Sequence, residues 1–159
     1  MQRKSIIIIA VVAFFLLIAF SLIAYATSMY NGLVRLDEGV NQAWAQVQNQ
    51  YQRRLDLIPN LVETVKGYAT HESQVFTEVA EARASVGKLT VTPEILNDPQ
   101  TYKRFPKAQA SLTGALSRLL AVAENYPQLK ANENFLQLQS QLEGTENRIA
   151  VERRRFNEV

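Results

Sequence analysis

Four polar side chains surround a proline in the sequence: Arg53, Arg54, Asp56 and Asn60 lie on either side of Pro59. Arg53 and Asp56 are three residues apart, and Asn60 follows Asp56 by four. On a helix these spacings bring side chains to one face. Guanidinium, carboxylate and amide groups gathered in this way could form a charged site for a ligand or for a partner protein.

Two structural interpretations compete with such a site. The charges could form a solvated ion pair on a helix surface, which contributes little to stability. Alternatively, Arg54 lies within an apolar stripe, buries its stem there and pairs with an acidic group of the last helix, for which Glu146 is a candidate. All three interpretations remain open. The candidate structural and interaction cluster consists of Trp44, Arg53, Arg54, Asp56, Pro59, Asn60, Glu146 and Arg148.

Other patterns that carry chemistry are missing from the sequence. There is no cysteine, which excludes disulfides and thiol nucleophiles. The one histidine, His71, has no second histidine four residues later, as a zinc-binding helix would need. No nucleophile beside a base, carboxylate pair or glycine-rich phosphate loop stands out. We therefore expect no enzyme activity, no cofactor and no metal, and we interpret His71 as a surface or packing residue of a helix.

The aromatic and basic residues outside this cluster also have two interpretations each. Trp44 is typical of a core or helix–helix anchor, and a partner or membrane-proximal contact is the alternative. Arg153, Arg154 and Arg155 form a short basic run, which is typical of a solvated helix face. Contact with lipid headgroups or an acidic partner is the alternative for this run.

The net charge of +2 comes from the N-terminal tail. Arg3 and Lys4 account for it, and the chain after Ala26 is formally neutral because its basic and acidic residues are equal in number. A nucleic-acid surface requires a basic domain face. The sequence therefore predicts no nucleic-acid partner.

An apolar segment follows the basic tail of residues 1–5. Residues 6–26 would span about 31 Å as a helix, close to the hydrocarbon thickness of a bilayer. A cleaved signal peptide is the alternative, supported by the small residues Ala24 and Ala26, but the segment is longer than such signals usually are. We therefore predict a membrane anchor in contact with lipid. Its anchoring side chains include Ile6, Phe14, Phe15, Phe20 and Tyr25.

The charges that flank this segment suggest its orientation. Arg3 and Lys4 precede it, whereas Arg35 is the only basic residue close behind it and is followed by Asp37 and Glu38. The positive-inside rule then predicts a single-pass cell-membrane protein with a cytoplasmic N-terminus and an extracytoplasmic domain.

The longest helical pattern runs from Met29 to about Lys88. Apolar residues recur at steps of three and four, through Leu33, Leu36 and Val40 and onward, as on one face of a helix. Pro59 interrupts the pattern because it lacks an N–H and its ring clashes with the carbonyl of the residue four positions earlier. Since the stripe continues beyond the proline, we predict one continuous helix with a kink near Pro59.

Two further helices complete the predicted domain. The signature of a capping residue followed by proline occurs at Thr92–Pro93 and again at Asp98–Pro99, so 89–98 is predicted to be a connection with one short helical turn. A helix then runs from Pro99 to about Asn125, and Asn132 caps the last helix. The predicted fold class is all-α: one N-terminal transmembrane helix and, over 27–159, an elongated antiparallel helical bundle.

Several segments of the chain resemble the LemA family of bacterial membrane proteins. They include Trp44-Ala45-Gln46-Val47, the segment 53–62 around Pro59, Ala80-Glu81-Ala82-Arg83, and Glu124-Asn125-Tyr126-Pro127. The resemblance covers nearly the whole chain. It implies one N-terminal anchor and a helical-bundle domain, with no established activity for the family.

The resemblance also bears on two properties of the chain, the length of its last helix and its orientation in the membrane. Family members continue further with more of the last helix, so the last helix is expected to be incomplete here. The family's N-terminus is placed outside the cell, opposite to the orientation that the flanking charges predict. From the residues and the resemblance together, we expect a non-enzymatic membrane scaffold that binds itself or other membrane proteins. A ligand-binding or sensing domain that uses Arg54 and Asp56 is the alternative.

Overall fold

A computed structural model describes residues 2–89 and 98–159, with side chains from Ile7 onward except those of Ile8 and Ala10. The described residues are helical and include no strand, so the all-α prediction is confirmed for this part of the chain. Within residues 2–89 and 98–159 the elements are α1 (Gln2–Lys66), α2 (Ser73–Lys88), α3 (Pro99–Val122), α4 (Pro127–Lys130) and α5 (Glu133–Glu158), with a 3₁₀ turn over Ala123–Asn125.

The contacts divide the chain into two units, of which the first ends at Val40. Its aromatic side chains Phe14, Phe15, Phe20 and Tyr25 are all more than 60% exposed. Among the described residues, one helix is long and apolar enough to cross a membrane, and the most apolar stretch of that helix is not buried. A signal sequence would meet the same criteria. The predicted anchor residue Ile6 lies outside the residues whose side chains are described.

The second unit, Asn41–Val159, holds the hydrophobic core. Every long helix of this unit contributes side chains to it: Leu61 from α1, Val79 from α2, Leu112 from α3 and Phe135 from α5 are at most 2% exposed. The buried faces of α3 and α5 carry apolar residues at helical spacing: Leu112, Ala115 and Leu119 on α3, and Phe135, Leu142 and Ile149 on α5. Burial of these stripes is the main driving force for the fold.

Pro59 lies inside α1, which continues through it as predicted. Because proline has no N–H, the carbonyl of Leu55 loses its helical donor. Arg83 of α2 replaces this donor, since its Nε donates a hydrogen bond to the Leu55 oxygen over 3.1 Å. The kink expected at Pro59 stays a prediction.

The prediction that this helix runs on to Lys88 is wrong. It ends at Lys66, and Gly67–Glu72 form a turn before α2. The 28 residues between Leu55 and Arg83 would span about 42 Å in one helix, so their contact requires the chain to fold back. The stop signal in the sequence was Gly67 directly after Lys66. His71 consequently lies in an exposed turn and not on a helix.

The structure contains two of the predicted helix caps. Asp98 caps α3 and accepts a hydrogen bond from the Gln100 amide, and Asn132 caps α5 by accepting one from the Phe135 amide. These bonds satisfy amides that have no partner inside their helices. The other predicted cap, at Thr92–Pro93, lies outside the described residues, as does most of the connection over 89–98.

Candidate functional site

An aromatic cluster forms where α1, α3 and α5 meet in the second unit. Trp44 and Tyr51 lie on one face of α1 because seven residues correspond to about two helical turns. The Trp44 ring centroid is 5.1 Å from that of Phe156 and 6.0 Å from that of Phe105. Tyr51 meets Phe105 edge-to-face, at 4.9 Å and 83°. Such contacts add to the stabilisation from burial and hold the rings in place.

Arg54 follows Tyr51 on the same face and is only 3% exposed. Its Nη1 donates to Gln109 Oε1 over 3.2 Å, and its Nη2 donates to Thr113 Oγ1 over 2.7 Å. Its Nε lies 2.7 Å from Glu146 Oε1, but the N–H does not point along that line, so this contact is an ion pair without hydrogen-bond geometry. Burial lowers the pKa of Arg54, and the charge of Glu146 opposes this effect.

Two buried donors beside Arg54 have no acceptor among the described residues. The Gln109 oxygen accepts from Arg54, which identifies Nε2 as the amide donor, and this nitrogen is unpaired. Trp44 Nε1 is unpaired as well. Both residues are more than 90% buried. Buried donors normally have a partner, and leaving one unpaired costs free energy.

Both of these residues line a cleft of about 240 Å³ in the second unit. Its walls include four aromatic side chains, those of Trp44, Tyr51, Tyr102 and Phe105, and its charged residues are Arg54, Glu146 and Arg153. Burial raises the pKa of Tyr51 above its ordinary value of 10.0, and Arg153 and Arg54 oppose the increase. The cleft therefore combines flat apolar walls, unpaired donors and an excess of positive charge.

The structure separates the polar residues that the sequence groups around Pro59. Arg54 and Glu146 are in contact, as the buried-pair interpretation expected. By contrast, Arg53, Asp56 and Asn60 are exposed together with Pro59. Asp56 Oδ1 accepts a hydrogen bond from Gln52 Nε2 over 2.8 Å. Arg148 is exposed on α5 and does not line the cleft.

Sequence reasoning missed Gln109, Thr113 and the position of Arg153. Gln109 is a polar residue on the buried face of α3, four residues after Phe105 and three before Leu112. The same signal, a polar side chain within an apolar stripe, identified Arg54. In the sequence Arg153 belongs to a basic run with its two neighbours, and only the packing of α5 shows that it lines the cleft.

The residues that the structure describes hold no group of three or more His, Asp or Glu side chains that could bind a metal ion. The residues that line the cleft offer hydrogen-bonding groups, charges and aromatic rings. Its geometry favours binding, because the groups that line it are donors and rings held by packing.

The curated proteins that this chain matches are named as magnetosome proteins. The chain is 26% identical over 162 residues to the magnetosome protein MamQ of Magnetospirillum gryphiswaldense, covering 86% of this chain and 57% of that protein. It is 25% identical over 156 residues to magnetosome proteins MamQ 2 and MamQ 1 of Paramagnetospirillum magneticum, with the same coverage. The chain thus spans less than two thirds of the length of these curated relatives. None of these names denotes an enzyme.

A protein-family match covers more than half of the chain. Residues 43–159 match the LemA family, and this range contains every residue of the cleft. The exposed apolar helix before it supports association with a membrane. The chain belongs to the LemA family.

Proposed function

We propose that this chain is a non-enzymatic, membrane-anchored helical scaffold that associates with further copies of itself through α1. Residues 6–26 lie in the bilayer, and the helices of Asn41–Val159 form an antiparallel bundle. The similarity to relatives named as magnetosome proteins supports a membrane-associated role.

The observation that carries the proposal is the exposed apolar surface of α1 beyond residue 26. Met29, Leu33 and Leu36 are each about 60% exposed, although they follow the segment assigned to the bilayer. Large exposed apolar patches mark interaction sites. Tyr30 is also exposed and, three residues before Leu33, widens this surface.

The spacing of these residues favours a second copy of the same helix as the partner. Leu33, Leu36 and Val40 continue the three-and-four alternation that a helix presents to another helix in a coiled coil. The opposite face carries Arg35 and Glu38, which remain in water when the apolar faces pair. We therefore assign the face of Met29, Leu33, Leu36 and Val40 as the self-association surface.

Disulfide crosslinking tests this assignment, because the chain has no cysteine of its own. Leu36→Cys places one thiol on the apolar face, and Glu38→Cys places one on the opposite face as a matched control. In native membranes under mild oxidation, we expect a covalent dimer from Leu36→Cys and far less from Glu38→Cys. A monomer for both variants, or equal crosslinking of both, would contradict self-association through this face.

The orientation can be tested with the same approach. Glu81→Cys places a thiol on an exposed position of α2. If the domain is extracytoplasmic, a membrane-impermeant maleimide labels this thiol in intact cells once the outer envelope is permeable to it. Labelling that appears only after lysis would reverse the orientation and would leave the scaffold proposal unchanged.

A further inference from the structure

We propose that the cleft bounded by Trp44, Gln109 and Arg153 binds a small organic carboxylate with a flat apolar body. The inference does not depend on self-association, because every residue that lines the cleft belongs to the second unit. It also differs from a charged site around Arg54 and Asp56, since Asp56 is exposed and does not line the cleft.

The walls of the cleft determine the shape of the bound molecule. Trp44 and Phe105 are at most 4% exposed and are held by mutual ring contact at 6.0 Å, while Tyr102 lies 6.4 Å from Trp44 and is 43% exposed. Of these rings Tyr102 is the exposed one, and an aromatic or other planar group in the cleft can stack on it, while the buried rings hold the wall in place. A volume of about 240 Å³ exceeds the roughly 150 Å³ of a cavity that holds benzene, so the cleft accommodates one ring with a carboxylate.

The unpaired donors determine which polar atoms the bound molecule carries. Trp44 Nε1 and Gln109 Nε2 are buried N–H groups without an acceptor in the described part of the chain. Indole nitrogen is a donor only, and the amide nitrogen is fixed as a donor because Arg54 occupies the Gln109 oxygen. Both residues line the cleft, so oxygen acceptors on a bound molecule that reach these nitrogens would satisfy them and recover the free energy lost by burying them.

The charges of the cleft favour an anion over a neutral acceptor. Glu146 lies 2.7 Å from Arg54 and balances its charge. Arg153 also lines the cleft, and it contacts the Tyr51 hydroxyl, which occupies only part of its five N–H donors. Guanidinium groups bind carboxylates with two parallel hydrogen bonds. Among the described residues of the cleft one cation is thus left unbalanced, which matches one carboxylate.

Binding can be measured with 4-fluorobenzoate, which combines a carboxylate with a single ring. The full chain in detergent micelles is titrated, and the fluorine NMR signal of the probe reports its bound fraction. Trp44 is the only tryptophan, so its fluorescence provides a second readout from inside the cleft. The uncharged probe 4-fluorobenzyl alcohol controls for partition of the ring into micelles.

Three substitutions separate the contributions to binding. Arg153→Gln removes the cation, and we expect it to weaken binding of 4-fluorobenzoate about tenfold, since charge-assisted hydrogen bonds are lost. Arg148→Gln removes an exposed arginine of the same helix that does not line the cleft, so it should leave binding within about twofold. Ala110→Leu fills the cleft from an exposed position on α3 and should abolish binding while the circular dichroism of the helices is retained.

The outcomes decide the proposal. Saturable binding of 4-fluorobenzoate that follows this order of variants, with weaker binding of the alcohol, supports it. Three results overturn it: no saturable binding by the wild-type chain, equal binding of the acid and the alcohol, or equal loss of affinity in the Arg153 and Arg148 variants.

Discussion

Arg83 Nε donates a hydrogen bond to the backbone oxygen of Leu55 over 3.1 Å, and this oxygen is the one that Pro59 leaves without a helical donor. A side chain of α2 therefore repairs the hydrogen-bond ladder of α1. The proline in α1 and the arginine in α2 therefore depend on each other, although a turn separates their helices.

The first prediction concerns this match. Arg83→Ala should lower the free energy of unfolding by about 1 kcal/mol, because the Leu55 carbonyl loses its donor. In a Pro59→Ala background the same change should cost less, by about 0.5–1 kcal/mol, since residue 59 then supplies an N–H to that carbonyl. Chemical denaturation of the four proteins in one detergent measures this coupling.

The control for this cycle is Arg155→Ala, which removes an exposed arginine on α5 paired with Glu152. Its effect should add to that of Pro59→Ala without coupling. If the effects of Arg83→Ala and Pro59→Ala on the free energy of unfolding also add without coupling, the hydrogen bond to Leu55 does not compensate for the proline.

The second prediction concerns Arg54 and Glu146. Glu146→Ala should destabilise the protein by about 1–2 kcal/mol, because it leaves a buried guanidinium without its carboxylate. The value lies at the low end for buried pairs, since Glu146 is 40% exposed and water screens the charge. Glu143→Ala removes an exposed glutamate of the same helix and should change stability by less than about 0.5 kcal/mol. Equal midpoints of thermal unfolding for both variants would show that the pair contributes nothing.

The third prediction concerns the indole of Trp44. Its Nε1 has no acceptor among the described residues, so Trp44→Phe loses no hydrogen bond within the protein and should cost about 1–2 kcal/mol of packing. Trp44→Ala should cost about 3–5 kcal/mol, because it also removes ring contacts with Phe105 and Phe156. Urea denaturation followed by circular dichroism measures both. Comparable losses for the two variants would indicate that the nitrogen, and not the ring, holds Trp44 in place.

The fourth prediction concerns pH and the cap of α3. Hydrogen bonds from the Thr101 hydroxyl and the Gln100 amide lower the pKa of Asp98 below its ordinary value of 3.8. The folded state then favours the ionised carboxylate, so the cap contributes stability above pH 3.8 and loses it as pH falls through the folded pKa. In Asp98→Asn the cap persists without a titrating group. The difference in unfolding midpoint between wild type and Asp98→Asn should therefore shift below about pH 4, and a constant difference would refute the role of the carboxylate.

The sequence predicted the helical fold class because apolar residues at steps of three and four report directly which face of a helix is buried. It also predicted the caps at Asp98 and Asn132, which depend on local residue types. The end of α1 was missed because the apolar stripe continues through Ala69 and Phe76 across the turn, and both residues are buried in the core. Periodicity does not distinguish one long helix from two that share a core.

The candidate site was predictable only in part. Arg54 stood out as a charge in an apolar stripe, and Glu146 was available on a later helix. Gln109, Thr113 and Arg153 could not be assigned to the same cleft, because their positions depend on how α3 and α5 are rotated about their own axes. That rotation is set by the packing of Phe105 and Ile149 and not by a local sequence signal.

The contacts of Arg54 also imply an order of folding. Leu55 and Arg83 close a loop of 28 residues, whereas Arg54 meets Gln109 across 55, and its carboxylate partner lies still further along the chain on α5. Contacts between distant residues form at a greater cost in chain entropy. We therefore expect α1 and α2 to pair early, with the guanidinium of Arg54 hydrated until α5 docks. Because Arg54 is buried against Glu146, we expect the core to be complete only when α5 has docked.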